Sequence, residues 1–288
     1  MTSRNSNRRT ASKSASRLER KAIVVGSAEA SGTLSRQIAY LAWRSIIRTA
    51  RQPIVIVPPL VFPLFLLAIN ASGLDAATRI QGFPVSSYLA FMLAFPFMQG
   101  AIFATNTAGT NIAQDISTGF FNRLSLTPMR GPSLLAGQLS GVLLVGTIQA
   151  IAFLTAGLAA GAQIKSGPLG VLVLLALSLS ICAAFGTIGL FVGLRTGSGE
   201  AIQGLFPLMF ILLFLSSAVL PRDLIGHDWF QTVATINPVS YLIEGMRSLI
   251  ITGWDAEALA LGFGLAWAIF AVGLFASTVA LRERLVRT

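Results

Sequence analysis

The chain has 288 residues, of which 54% are hydrophobic and only 11% charged, and it carries a formal net charge of +10 at pH 7. No water-soluble core of this length needs so much apolar surface, so the composition excludes an ordinary soluble domain and indicates an integral membrane protein. One cysteine, Cys182, and one histidine, His227, exclude a disulfide framework and a multi-cysteine metal site within a single chain.

Residues 1–33 are rich in Ser, Arg and Asn and read as a solvated, disordered basic tail that meets anionic lipid head groups. Arg8–Arg9 raises a twin-arginine export signal, but no adequate apolar region follows. Over 34–51 a helical projection places Leu34, Ile38, Ala39, Leu41, Ala42, Trp43, Ile46 and Ala50 on one side. Arg36, Arg44, Arg48 and Arg51 fall on the other. The pattern predicts an amphipathic helix in the membrane interface, ended by Pro53; a plain juxtamembrane basic anchor is the alternative.

Apolar blocks long enough to cross a bilayer occupy roughly 54–71, 87–109, 135–161, 168–194, 201–220 and 257–281. Their unbroken apolar length predicts helices, since barrel strands would alternate polar and apolar positions. Pro58, Pro59 and Pro63 in the first span, Pro96 in the second and Pro207 in the fifth predict kinks. Gly137–x3–Gly141, Gly157–x3–Gly161 and Gly189–x3–Gly193 permit close helix contacts, read here as packing within one subunit in preference to a dimer seam.

Of the 21 basic residues, 17 fall before the first span, between spans two and three or four and five, or after span six. Only Arg79, Lys165, Arg222 and Arg247 fall on the other side, so the positive-inside rule predicts that both termini are cytoplasmic.

Two polar stretches interrupt this plan. Residues 111–137 contain Asp115, Gly119, Phe120, Phe121, Asn122, Arg123, Leu124, Leu126 and Pro128, an apolar face rimmed by charge. Such a segment suits docking into a groove on a partner, although a loop whose phenylalanines dip into lipid has the same composition. Residues 221–254 lie on the opposite side and hold Asp223, His227, Asp228, Glu244 and Arg247. Asn237–Pro238 predicts a helix start and Gly253 a stop. Val239, Leu242, Ile243, Met246, Leu249 and Ile250 form an apolar stripe opposite Ser240, Glu244, Arg247 and Ser248, with Glu244 placed to pair with Arg247. This predicts a short amphipathic helix in, or dipping back from, the outer interface, with His227 a surface residue.

The run Asp115–x3–Gly119–x3–Arg123–Leu124–x3–Pro128–Met129, followed by Leu134–Leu135–Ala136–Gly137, resembles the coupling segment of type-2 ABC exporter permeases, particularly the daunorubicin-exporter branch. The run from Asn237 and Pro238 through Tyr241 and Glu244 to Arg247 resembles that family's signature before its last span. The resemblance covers roughly residues 34–288. Ser117–Thr118 stand where many relatives carry Glu or Arg.

The resemblance implies an all-α membrane fold of six transmembrane helices, with an N-terminal interface helix and short external re-entrant or amphipathic helices before the last span. Residues 1–33 would form the cytoplasmic tail and 34–288 the permease domain. It implies a plasma-membrane subunit that dimerises with a second permease copy or paralogue and couples to a cytoplasmic ABC ATPase, with spans one, two and five lining the route. The implied cargo is an amphipathic drug or lipid, or alternatively a glycan. ATP and Mg would be bound by the ATPase, and no nucleic-acid partner or metal is implied.

The residues agree on the missing engine. A phosphate-binding loop needs Gly-Lys-[Ser/Thr], yet Lys13, Lys21 and Lys165 are the only lysines and none follows glycine. The chain is therefore not expected to be an enzyme. No span interior carries an ionisable side chain, which disfavours an ion-coupled transporter, and a non-catalytic assembly protein would leave the paired motifs unexplained.

Overall fold

A computed structural model describes residues 39–40, 42–47, 51, 53–119 and 131–287, and no strand occurs among the described residues. Residues 39–40 and 42–47 are helical, with Tyr40 and Trp43 exposed. The tail, Arg36, Arg48, Phe120, Phe121, Arg123 and Pro128 lie outside the described residues.

The chain continues through α1 (Pro53–Gly73), α2 (Tyr88–Met92), α3 (Ala94–Ser117), α4 (Gly131–Ala159) and α5 (Gly167–Thr196). After these come α6 (Gly199–Phe214), α7 (Asp228–Ile236), α8 (Pro238–Ile251) and α9 (Ala256–Arg287). The helix α1, the α2–α3 pair, α4, α5 and α9 are each long and apolar enough to cross a bilayer. The sixth apolar helix, α6, is shorter. Its 16 residues rise only about 24 Å, short of a hydrocarbon core of about 30 Å.

Among the differences from the sequence-based expectation, three bear on the site. Span two runs to Ser117 instead of stopping near residue 109, because its last turns satisfy their own polar side chains. The Thr110 hydroxyl donates to the Asn106 carbonyl at 2.8 Å, and that of Thr118 to Gln114 at 2.9 Å. Pro96 does not kink the middle of a helix. It is the third residue of α3, and the break lies just before it at Leu93. Span five stops at Phe214, and residues 215–220 leave the helix before Pro221.

The α2–α3 pair is the hub, with 17 of the 24 residues of α3 buried. Its closest neighbour is α5, and glycine makes the approach possible. A Cβ on Gly189 would lie 2.0 Å from the Thr105 carbonyl oxygen, and one on Gly193 would lie 2.7 Å from that of Gly109. The Thr105 hydroxyl donates across the same seam to the Phe185 carbonyl at 2.9 Å. The Gly189–x3–Gly193 pair therefore packs inside one subunit.

The ends of α5 and α9 are clamped together. Gly197, at φ +65°, caps α5 in the left-handed region. Arg284 donates to the Leu194 carbonyl at 2.6 Å, and Arg195 pairs with Glu283. By contrast α1 exposes Val57, Val61, Phe62, Phe65 and Ile69, and α6 exposes Leu208, Ile211 and Phe214.

Candidate functional site

Spans one, two and five meet around a cavity of about 330 Å3. From α1 it takes Pro58 and Pro59, and from α6 it takes Gln203 and Phe206. From α3 it takes Phe103, Asn106, Thr107, Thr110 and Asn111, positions that repeat at helical spacing along one face. The wall is thus neutral amides and hydroxyls set against aromatic rings, with no charged side chain among its lining residues. Sequence reasoning misses Asn111, because it ends span two near residue 109, and misses Gln203, whose partners across the cleft are distant in sequence. The signal was present in the Asn106, Thr107, Thr110, Asn111 spacing.

Above the cavity the rings close ranks. Phe103 and Phe206 have centroids 5.2 Å apart, Phe206 and Phe210 4.8 Å, and Phe210 and Phe214 6.4 Å. Phe62 of α1 meets Phe103 at 6.5 Å and Phe210 at 6.1 Å, and Phe95 meets Phe214 at 5.9 Å. Gln99 stands one turn beyond Phe103 on the same face of α3. It is fully buried, and neither amide atom has a hydrogen-bond partner among the described residues.

Pro63 has no N–H to give the Pro59 carbonyl, and a side chain from another span replaces it. The buried Gln149 amide on α4 donates to that carbonyl at 3.3 Å, tying α1 to the bundle beside the cavity.

The signature from Asn237 to Arg247 explains how span five can end early. Non-helical backbone at membrane depth is tolerated only where protein satisfies its polar groups. Asn237 caps α8, its side chain accepting from Val239 N at 2.9 Å. The same amide donates to Leu212 and Leu215 carbonyls at 2.6 and 3.0 Å. Ser240 accepts from Ser217 N at 3.0 Å and donates to the Ala234 carbonyl at 2.6 Å. Arg247 is 5% exposed, and its guanidinium donates to Ser217 and Ala218 carbonyls at 2.8 Å each and to Phe91 at 3.1 Å. It also lies 3.6 Å from the centroid of the Phe91 ring. Tyr88 completes the set by donating to the Val219 carbonyl at 2.8 Å.

Two expectations are corrected here. The polar face of α8 is not wet: Ser240, Arg247 and Ser248 are buried together with its apolar stripe, and Glu244 is part-exposed. Glu244 pairs with Arg222, not with Arg247, because the latter points into the carbonyl cluster. Arg222 also lies 4.6 Å over the Tyr241 ring, and Tyr241 donates to the Thr235 carbonyl at 2.8 Å. Burial acts to lower the Arg222 pKa, but the Glu244 carboxylate and the Tyr241 hydroxyl hold it above its ordinary value. His227 is an exposed residue at the start of α7, a helix for which the sequence carried no clear signal.

At the opposite end of the bundle, Asp115 sits in the last turn of α3 and is only 3% exposed, where a loop residue was expected. It accepts from Gln138 Nε2 at 2.6 Å and pairs with Arg44 at 3.5 Å. Gly119, at φ +67°, carries the chain out of the helix. Arg51 is exposed. No set of three or more His, Cys, Asp or Glu side chains comes together as metal ligands among the described residues.

Residues 36–251 match the model of the family described as ABC-2 type transporter. A daunorubicin resistance ABC transporter permease protein of Streptomyces coeruleorubidus is 28% identical over 218 residues, covering 72% of each chain. The ycf38 proteins of Pyropia yezoensis and Cyanophora paradoxa, which carry the name of transport permease, are 26% and 27% identical. They align over 76% and 74% of this chain and 75% and 74% of their own lengths. With three quarters of its length inside that family model, and with five span-length apolar helices and a shorter sixth among the described residues, the chain belongs to the ABC-2 type transporter family and is one of its membrane-spanning permease subunits.

Proposed function

We propose that this subunit forms half of the export route for an uncharged or weakly charged amphipathic molecule, and that the cleft between α1, α3 and α6 is where the cargo binds. The observation that carries this reading is the composition of the cleft wall: amides and hydroxyls on one side, phenylalanine rings on the other, and no fixed charge to hold an ionic solute. The daunorubicin-resistance relative supports a drug-like aromatic cargo in preference to a glycan. A second permease copy would close the exposed faces of α1 and α6, and a separate cytoplasmic ATPase would bind ATP and Mg and drive the cycle. The 17-to-4 division of basic residues supports cytoplasmic termini, and the family match over residues 36–251 supports a permease domain over 34–288 in the plasma membrane, preceded by a basic tail over 1–33. In this reading Phe120, Phe121, Arg123 and Pro128 belong to the contact with the ATPase.

Inverted vesicles from cells expressing the permease with its ATPase subunit test this, with daunorubicin fluorescence as the probe. ATP-driven accumulation is expected, and it should fall when Asn106 and Gln203 are both replaced by Leu. Accumulation that survives the double replacement removes the cleft from the route. Absence of any ATP-driven uptake refutes the drug-like cargo.

A further inference from the structure

Asp115 is an unfavourable residue for its position. A negative charge at the C-terminal turn of a helix opposes the helix dipole, and a buried carboxylate also loses its hydration. The site is nevertheless built around it. Asp115 accepts from Gln138 on α4 at 2.6 Å and faces Arg44 of the juxtamembrane helix at 3.5 Å. Asn111, Leu134 and Gly137 close a small pocket around these groups. Residues 120–130 connect α3 to α4, so the clasp joins both roots of that connection to each other and to the helix that precedes α1.

Asn111 belongs at once to this pocket and to the wall of the cargo cleft. One helical turn, about 5.4 Å, separates it from Asp115 along α3. Apolar contacts hold α3 to α4 farther along the bundle, where the rings of Phe97 and Phe153 lie 5.8 Å apart, and the clasp adds a polar tie at the end where the connection leaves the two helices. Through that tie a displacement of the connection would reach the five cleft residues of α3.

We propose that Asp115 is a positioning residue that transmits displacement of the α3–α4 connection to the cargo cleft, acting through Gln138 and Arg44. It does not itself touch the ATPase. This rests on the function proposed above and adds the means by which the ATPase cycle reaches the cleft.

The test uses the complete transporter in nanodiscs, with Thr110→Cys as a reporter on the α3 wall of the cleft and Cys182→Ala to remove the native thiol. Labelling of the reporter by a maleimide is followed without nucleotide and after trapping with ATP and vanadate. The parent should label at different rates in the two states. Asp115→Asn keeps the shape of the side chain but removes its charge. It should still copurify with the ATPase and hydrolyse ATP, yet lose the difference in labelling. Arg44→Gln changes a half-exposed partner that the fold tolerates and should do the same, while Arg44→Lys should restore the difference.

A difference that persists in Asp115→Asn or Arg44→Gln overturns the proposal. Loss of the ATPase subunit from these variants also overturns it, by returning Asp115 to the docking surface. If the parent itself shows no nucleotide-dependent difference, the cleft is not on the driven route, and the proposed function falls together with the clasp.

Discussion

Replacing Arg247 by Met would keep much of the side-chain volume of a buried arginine while removing every donor it offers. The guanidinium serves the carbonyls of Phe91, Ser217 and Ala218 at 3.1, 2.8 and 2.8 Å. Leaving a buried acceptor unsatisfied costs about 1–3 kcal/mol. Relief from desolvating the charge offsets part of the loss, so the low end of the range applies to each acceptor, giving a net of about 3 kcal/mol. At about 2–4 °C per kcal/mol for a chain of this size, the melting temperature should fall by roughly 6–12 °C. Size-exclusion thermal melting of the detergent-solubilised subunit would measure it. Arg247→Lys retains the charge but cannot present a three-way fork, so its melting point should lie between the two. A shift of less than about 2 °C in Arg247→Met would refute the assignment of the guanidinium as the support for the non-helical end of span five.

Other substitutions separate support from function. Gly189→Ala places a methyl group against the Thr105 carbonyl and should greatly reduce the yield of folded protein on size-exclusion chromatography, whereas Gly204→Ala, in open space, should not. Gln99→Leu removes a buried amide with no partner among the described residues and should raise the melting temperature by the equivalent of about 1 kcal/mol while lowering ATP-driven daunorubicin uptake, a trade expected where polarity serves transport instead of stability. Glu244→Gln weakens a partly exposed pair with Arg222 and should change stability by less than about 1 kcal/mol, as read in the same melting assay. An impermeant maleimide applied to intact cells should label Lys165→Cys, which is exposed, and spare Thr288→Cys.

The apolar blocks were legible because crossing a bilayer demands a length of apolar helix that little else in the chain mimics. The start of α8 was legible for a local reason: Asn followed by Pro satisfies and pre-shapes a first turn, and Asn237 does cap it. The second task of that amide was not legible, since its acceptors Leu212 and Leu215 are 25 and 22 residues away. The same holds for Arg247. On a helical projection it shares a face with Glu244, and only the tertiary arrangement of three displaced carbonyls shows why an arginine is buried there. Asp115 was misplaced for a related reason, as a carboxylate near the end of an apolar block reads as loop until its partners on two other helices are known. In the cleft the lettering was visible but its neighbours were not, because Gln203 and Asn106 are nearly a hundred positions apart in sequence.

The three prolines of α1 have a consequence for how such a chain can diversify. The span that carries them contributes Pro58 and Pro59 to the cleft wall, yet exposes much of its surface and borrows the Gln149 amide to replace a missing rung. The glycine-tight seam between α3 and α5 depends on none of these residues. A stave that carries its own prolines can change the cleft wall while the seam stays shut. If the cleft holds the cargo as proposed, selection for a new cargo can act on α1 and α6 without reopening the question of whether the protein folds.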